Sequence, residues 1–147
     1  SRGMPGLLSA NIELYPHQVE VVRRVLEDSI QRYLLADEVG LGKTIEAGVI
    51  LRQYLLDNPA GRVLVIAPKL LLKQWQQELE AKFYLSDKID WLTIEDIRST
   101  HIQFQPDFLV LDEAQHIAGM AVSPNSAQRE CFEFCRKLAH QAKQVLL

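Results

Sequence analysis

The chain has 147 residues, which is enough for one domain of ordinary size and too few for two. Hydrophobic residues make up 48% of the chain and charged residues 24%, a balance that excludes an intrinsically disordered protein and a membrane protein. The formal net charge of −3 argues against a domain that binds nucleic acid through a broadly basic surface, so any such contact has to be local.

The first predicted element is an amphipathic helix that begins at Pro16, with apolar residues spaced by three, four and four positions: Val19, Val22, Leu26 and Ile30. A short apolar strand over residues 33–36 follows, and a second helix extends from Lys43 to Leu56. The turn-forming residues 57–61 end that helix. Residues 63–67 are a continuous apolar run rich in β-branched side chains, which predicts a strand buried on both faces.

A third helix is predicted by apolar residues at helical spacing: Leu72, Trp75, Leu79 and Phe83. A weaker strand covers residues 89–93, and a clear buried strand over residues 108–111 runs directly into Asp112. The last helix spans residues 125–140, and residues 145–147 begin a further strand. Because apolar strands alternate with helices, the sequence predicts a doubly wound α/β fold with a mostly parallel sheet covered by helices on both faces.

Two cysteines, Cys131 and Cys135, lie four residues apart in the last predicted helix, a spacing that could supply half of a metal site. Packing in the core is the favoured interpretation, because cysteine is often buried and the chain has no second pair. Free thiols fit a reduced, intracellular (cytoplasmic) protein. No apolar stretch approaches the length needed to cross a membrane, and residues 1–3 before the internal Met4 are interpreted as a remnant of cloning.

The segment Gly40-Leu41-Gly42-Lys43-Thr44 lies between a predicted strand and a predicted helix, which is the setting of a phosphate-binding loop. Glycines allow the backbone to approach a phosphate, Lys43 can reach the β- and γ-phosphates, and the Thr44 hydroxyl can bind Mg²⁺. The strict loop pattern has glycine where this chain has Asp37. The alternative interpretation is a glycine-rich turn whose lysine is merely solvated.

A second acidic motif, Asp112-Glu113, follows a different buried strand. Because the carboxyl ends of parallel strands open on one crevice, Asp112 and Lys43 are expected to meet around a common metal-phosphate group. We expect Asp112 to hold Mg²⁺, and Glu113 to orient and deprotonate the water that attacks the γ-phosphate. The alternative is an ordinary polar end to a strand.

Four segments in this order resemble the first lobe of a Swi/Snf-type ATPase of helicase superfamily two, nearest to the RapA/HepA branch. They are residues 14–18 (Leu-Tyr-Pro-His-Gln), residues 35–48, residues 65–68 (Val-Ile-Ala-Pro) with Trp75, and residues 112–116 (Asp-Glu-Ala-Gln-His). The resemblance implies a three-layer RecA-like P-loop domain that binds ATP and Mg²⁺. Members of the family begin the loop with Asp-Glu, so Asp37 is no longer an exception.

The resemblance also implies roles for individual residues. Gln18 is expected to contact adenine, Lys43 is also a catalytic candidate with Glu113, and the nucleotide loop would comprise Asp37, Glu38, Val39, Gly40, Leu41, Gly42, Lys43 and Thr44. Pro68 and Lys69 correspond to a segment that contacts the nucleic-acid backbone in such motors. Lys69 could equally be a solvated charge at the start of a helix.

On this interpretation residues 1–147 are the single N-terminal lobe of a two-lobed motor, and the second lobe, with its arginine finger, is absent. The implied function is that of a double-stranded DNA translocase or remodeller, with RNA polymerase or another protein complex as a possible partner and no membrane contact. An RNA helicase or a restriction-type translocase of the same superfamily would share all of these motifs. A non-catalytic nucleotide-binding module is the alternative from a different class.

Overall fold

The computed structural model of the chain describes residues 31–33, 41–99, 102 and 104–146. Within them, five strands form one sheet in the order β1-β5-β4-β2-β3, and every neighbouring pair is parallel. The strands are β1 Gln31–Tyr33, β2 Val63–Ala67, β3 Asp90–Thr93, β4 Phe108–Leu111 and β5 Gln144–Leu146. The predicted helix that begins at Pro16 lies outside the described residues.

The helices of the described part are α1 Leu41–Asp57, α2 Lys69–Phe83, α3 Ala114–Gly119 and α4 Ser126–Gln141. Pro68 immediately precedes α2, and Tyr84 ends that helix in the left-handed conformation with φ 57°. Asn125 caps α4, since its side-chain oxygen accepts a hydrogen bond of 2.8 Å from the Ala127 amide. Short 3₁₀ turns lie at Ser86–Lys88, Ile94–Ser99 and Met120–Val122.

The two central strands are buried on both faces, as their continuous apolar runs predict. On one face, alternate residues of β2 such as Val65 pack against α1 and α2 in a single apolar cluster. On the other face, the intervening residues such as Ile66 pack against α3 and α4 in a second cluster. The sheet between two helical layers confirms the predicted α/β fold.

Helices α1 and α2 lie unusually close to each other at Gly48. A Cβ atom at that position would lie 2.1 Å from Cε2 of Phe83, so only glycine fits there without a shift of the ring. The close approach sets the spacing between α1 and the last residue of α2. Both helices supply side chains to the site described below.

The cysteines Cys131 and Cys135 are both buried in the second apolar cluster, which confirms that they pack in the core. A hydrogen bond with Cys131, together with burial, raises the pKa of Cys135 well above its ordinary value. The same bond lowers the pKa of Cys131. Both thiols are free. Among the described helices, none is both long and apolar enough to cross a membrane.

Candidate functional site

The candidate residues come together at one edge of the sheet, where the parallel strands have their carboxyl ends. Helix α2 begins there, directly after β2, and Asp112 follows the last residue of β4. The Asp112 amide donates a hydrogen bond of 2.9 Å to the carbonyl of Ile66, which extends the pairing of the two strands by one residue. The carboxylate is therefore held at the mouth of the crevice that such sheets form.

Lys43, in the first turn of α1, contacts Asp112 directly. Its Nζ forms a salt bridge with Oδ1 of the aspartate, although Asp112 comes 69 positions later in the chain. The Asp112 side chain is only 1% exposed and that of Lys43 is 20% exposed. A carboxylate taken out of water requires a counter-charge, and Lys43 provides one. The predicted meeting of the phosphate-loop lysine and the strand-end acid is thus present in the structure.

Two further groups donate hydrogen bonds to the same carboxylate. The indole Nε1 of Trp75, on α2, donates to Oδ2 at 2.7 Å, and the backbone amide of Glu113 donates to Oδ1 at 3.0 Å. Among the described residues, Oδ1 therefore has two donors and Oδ2 has one. The orientation of the carboxylate is fixed from three directions, by three separate segments of the chain.

Glu113 has an unusual backbone conformation for a residue other than glycine. Its φ and ψ are 60° and 43°, in the left-handed region, at the position that precedes α3. Such a conformation costs about 1–3 kcal/mol, and it persists where the surrounding structure imposes it. The Glu113 side chain is half-buried, and its Oε2 accepts a hydrogen bond of 3.2 Å from Nε2 of Gln115. The turn thus carries Glu113 next to Asp112 with its carboxylate held by a neighbour.

The remaining predicted nucleotide residues divide into two groups. Thr44 is 5% exposed in the first turn of α1, directly after Lys43, and Leu41 and Gly42 form the start of that helix. The others lie outside the described residues: Gln18, Asp37, Glu38, Val39 and Gly40. Strand β1 and helix α1 therefore flank the predicted loop, and the described part of it is its helical end.

Pro68 and Lys69, the predicted nucleic-acid residues, lie at the same edge of the sheet as Asp112. Pro68 is half-buried and Lys69 is exposed. The Lys69 amide donates a hydrogen bond of 3.0 Å to Oε1 of Glu95, so a carboxylate already caps the first residue of α2. The exposed side chain of Lys69 is compatible with both the contact with nucleic acid and the solvated interpretation.

Two residues of the site have no role assigned from the sequence, namely Trp75 and Gln115, although both lie in segments that carry the family resemblance. Periodicity indicates Trp75 as an apolar position of a helix, and a buried indole requires a partner for its N–H. That requirement is the signal that a polar group lies within reach. For Gln115 the signal is its position two residues after a candidate catalytic acid.

The site offers a donor set suited to Mg²⁺. This ion is held in proteins by one or two carboxylates with water and substrate phosphates, and seldom by a cage of many protein ligands. The described residues contain no group of three or more His, Cys, Asp or Glu side chains that could hold a metal. The buried Asp112 carboxylate, with the buried Thr44 next to Lys43 in the chain, fits the smaller ligand set that Mg²⁺ takes from proteins. Departure of Lys43 from Oδ1 would leave one acceptor site there open for a metal-bound water.

Comparisons with known proteins identify relatives of the chain. A family model described as SNF2-related domain matches residues 17–106. The RNA polymerase-associated protein RapA of Sodalis glossinidius is 36% identical over 97% of this chain and 17% of its own length. The uncharacterized ATP-dependent helicase YqhH of Bacillus subtilis is 33% identical over 84% of this chain and 24% of its own length. The chain spans less than a quarter of these relatives.

A solved structure described as the SWI2/SNF2 ATPase core of Sulfolobus solfataricus in complex with dsDNA has a similar fold. Its TM-score is 0.54 at 23% identity, and the match covers 92% of this chain and 31% of the other. At this level of identity the likeness concerns the fold alone. It agrees with the three layers and the parallel sheet described above.

Proposed function

The chain belongs to the SNF2-related domain family, and from that premise we propose that it is the ATP-binding lobe of a nucleic-acid-dependent ATPase motor. The finer assignment that we propose is a double-stranded DNA translocase or remodeller of the Swi/Snf type. The family match and the RapA relatives confirm the resemblance seen in the sequence. The observation that carries the proposal is the contact between Lys43 and Asp112 at the carboxyl edge of the sheet.

In the proposed reaction the Lys43 side chain moves, so that its ammonium leaves Asp112 and contacts the β- and γ-phosphates of ATP. The lysine can make this move because its side chain is long, flexible and partly exposed, whereas Asp112 is buried at a fixed strand end. Glu113 then orients the attacking water and accepts its proton. Gln115, which already donates to that carboxylate, keeps the side chain of Glu113 in place.

Asp112 and Thr44 are the residues that would hold Mg²⁺, the aspartate through a water molecule. When bound, the ion would neutralise the charge that develops on the phosphate oxygens. The positive charge that Lys43 now supplies to Asp112 would thereby be replaced. This exchange would allow a carboxylate with a 1% exposed side chain to keep a counter-charge throughout the cycle.

We further propose that a second lobe supplies the rest of the catalytic machinery. The chain corresponds to 17% of the length of the Sodalis RapA protein, so a motor of that kind would contain much more than this lobe. An arginine finger contributed by another lobe accelerates phosphoryl transfer by about 10³–10⁵-fold in enzymes that use one. We therefore expect the isolated chain to bind ATP with little turnover.

Thermal denaturation of the chain tests nucleotide binding directly. A ligand at about 100 times its Kd stabilises a protein by about 2.7 kcal/mol, which corresponds to a rise in Tm of roughly 5–10 °C for a domain of this size. We expect such a rise with MgATP. Adenosine with Mg²⁺ is the control and should give a much smaller rise, because Lys43 and Thr44 bind phosphate and metal. An equal rise in Tm with both ligands, or no rise with millimolar MgATP, would contradict the assignment of a phosphate site.

ATP hydrolysis by the intact protein tests the substrate of the motor. The name of RapA refers to RNA polymerase, and the structural neighbour is a complex with double-stranded DNA. We expect duplex DNA to stimulate hydrolysis more than single-stranded or duplex RNA of equal length, measured at equal nucleotide concentration and fixed salt. Stronger stimulation by RNA would favour the RNA helicase alternative. Stimulation by no nucleic acid would favour a nucleotide-binding module.

A further inference from the structure

Trp75 makes a contact that apolar packing does not require. Its ring is 3% exposed within the apolar cluster that joins α1 and α2 to the sheet. The indole N–H is the one donor of the side chain, and it donates to Oδ2 of Asp112 at 2.7 Å, a short distance for a nitrogen donor. The helix that follows β2 is thus hydrogen-bonded to the acid that follows β4.

The three donors to Asp112 differ in how easily they can leave. Lys43 has a flexible stem and is 20% exposed, so it can move to a phosphate. The Glu113 amide belongs to the backbone, and Trp75 is a rigid, buried ring with only two side-chain torsions. When the lysine leaves, the indole and the backbone amide remain. They hold opposite oxygens of the carboxylate.

This geometry matters because the terminal torsion of an aspartate is soft. Rotation about the Cβ–Cγ bond has a broad energy minimum, so a carboxylate with one fixed oxygen can still turn. With the Glu113 amide on Oδ1 and the indole on Oδ2, both oxygens are fixed. The acceptor site of Oδ1 that Lys43 now occupies keeps its direction after the lysine has left.

We propose that Trp75 is a positioning residue for Asp112, whose indole N–H keeps the carboxylate aimed at the Mg²⁺ of bound MgATP. This proposal rests on the proposed function and adds a residue to it. Trp75 touches neither the nucleotide nor the metal on this view, and acts only through Asp112. Loss of the N–H should therefore weaken the Mg²⁺-dependent part of nucleotide binding and leave the metal-free part unchanged.

The variant that tests the proposal is Trp75→Phe, which keeps most of the ring and removes the N–H. The readout is the Tm of the chain at fixed ATP concentration while Mg²⁺ is titrated, so hydrolysis is not needed. We expect the Mg²⁺ midpoint to rise about tenfold, as for loss of one hydrogen bond to a charged group. The rise in Tm that ATP produces in the presence of EDTA should be the same in variant and parent.

The matched control is Trp91→Phe. The Trp91 indole donates a hydrogen bond of 2.9 Å to the carbonyl of Ser86, and the ring packs partly against the same cluster. Both substitutions remove one indole bond and lower the Tm of the free chain. Only Trp75→Phe should change the Mg²⁺ midpoint, and an equal change in both variants would show a merely structural effect and overturn the proposal.

A second replacement protects the test against poor folding of Trp75→Phe. Benzothienylalanine at position 75 has nearly the shape of tryptophan and carries sulfur in place of the N–H. An unchanged Mg²⁺ midpoint with this residue would overturn the positioning role, and a tenfold rise would support it. Failure of the proposed function looks different, because the unsubstituted chain itself would then show no rise in Tm with MgATP.

Discussion

Replacing Lys43 with alanine is expected to abolish the MgATP-dependent rise in Tm of the chain. In the intact protein the same change should reduce hydrolysis by about 10²–10³-fold, the effect of removing one donor aimed at developing negative charge. The physical reason is that Lys43 is the charged group at the start of α1 that can reach a phosphate held at the carboxyl edge of the sheet. Lys137, exposed on α4 at the other face, is the control position, and Lys137→Ala should leave both measurements unchanged.

The variant Lys43→Ala also changes the free chain, and this effect has to be separated from the loss of binding. Without the lysine, the buried carboxylate of Asp112 keeps two hydrogen bonds and loses its salt-bridge partner. We expect a loss of about 1–3 kcal/mol in the free energy of unfolding. The double variant Lys43→Ala/Asp112→Asn removes the uncompensated charge, but the asparagine NH₂ then faces one of the two remaining donors, so only part of the stability should return, and MgATP should still have no effect. Retention of the full MgATP response by Lys43→Ala would contradict the phosphate role.

The parts of the fold that the sequence predicts best are the central strands. The predicted strands over residues 63–67 and 108–111 have the bounds that the structure has, because a strand covered on both faces is apolar at every position. The outer strand β3 is less clear, since Leu92 is its single buried residue. Helix α3 and the 3₁₀ turns are not predicted, because six residues or fewer are too short to show a helical period.

The site likewise has one contact that the sequence predicts and one that it does not. The meeting of Lys43 and Asp112 follows from topology alone, because parallel strands bring their carboxyl ends to one edge. The bond from Trp75 to Asp112 depends on the position of α2 against the sheet and on the rotamer of the indole side chain. Apolar periodicity places Trp75 on the buried face of its helix. It carries no information on which polar group the indole meets there.

The variant Glu113→Gln is expected to separate binding from chemistry. Glutamine has the same shape as glutamate, can still accept the hydrogen bond from Gln115 and leaves the Asp112 carboxylate and Lys43 in place. It cannot take a proton from water. We expect an unchanged rise in Tm with MgATP in the chain and a loss of about 10²–10⁴-fold in single-turnover hydrolysis by the intact protein.

Glu133→Gln on α4 is the control for this substitution, because Glu133 is exposed and pairs with Arg136 three residues later, away from the site. Its hydrolysis rate and Tm response should match those of the parent protein. Lys43→Ala should lose both binding and hydrolysis, whereas Glu113→Gln should lose only hydrolysis, and this difference separates a motor from a nucleotide-binding module. In a module that never hydrolyses ATP, Glu113→Gln would have no effect on biological activity. Unchanged turnover in Glu113→Gln would show that another residue accepts the proton, and it would contradict the catalytic role proposed for Glu113.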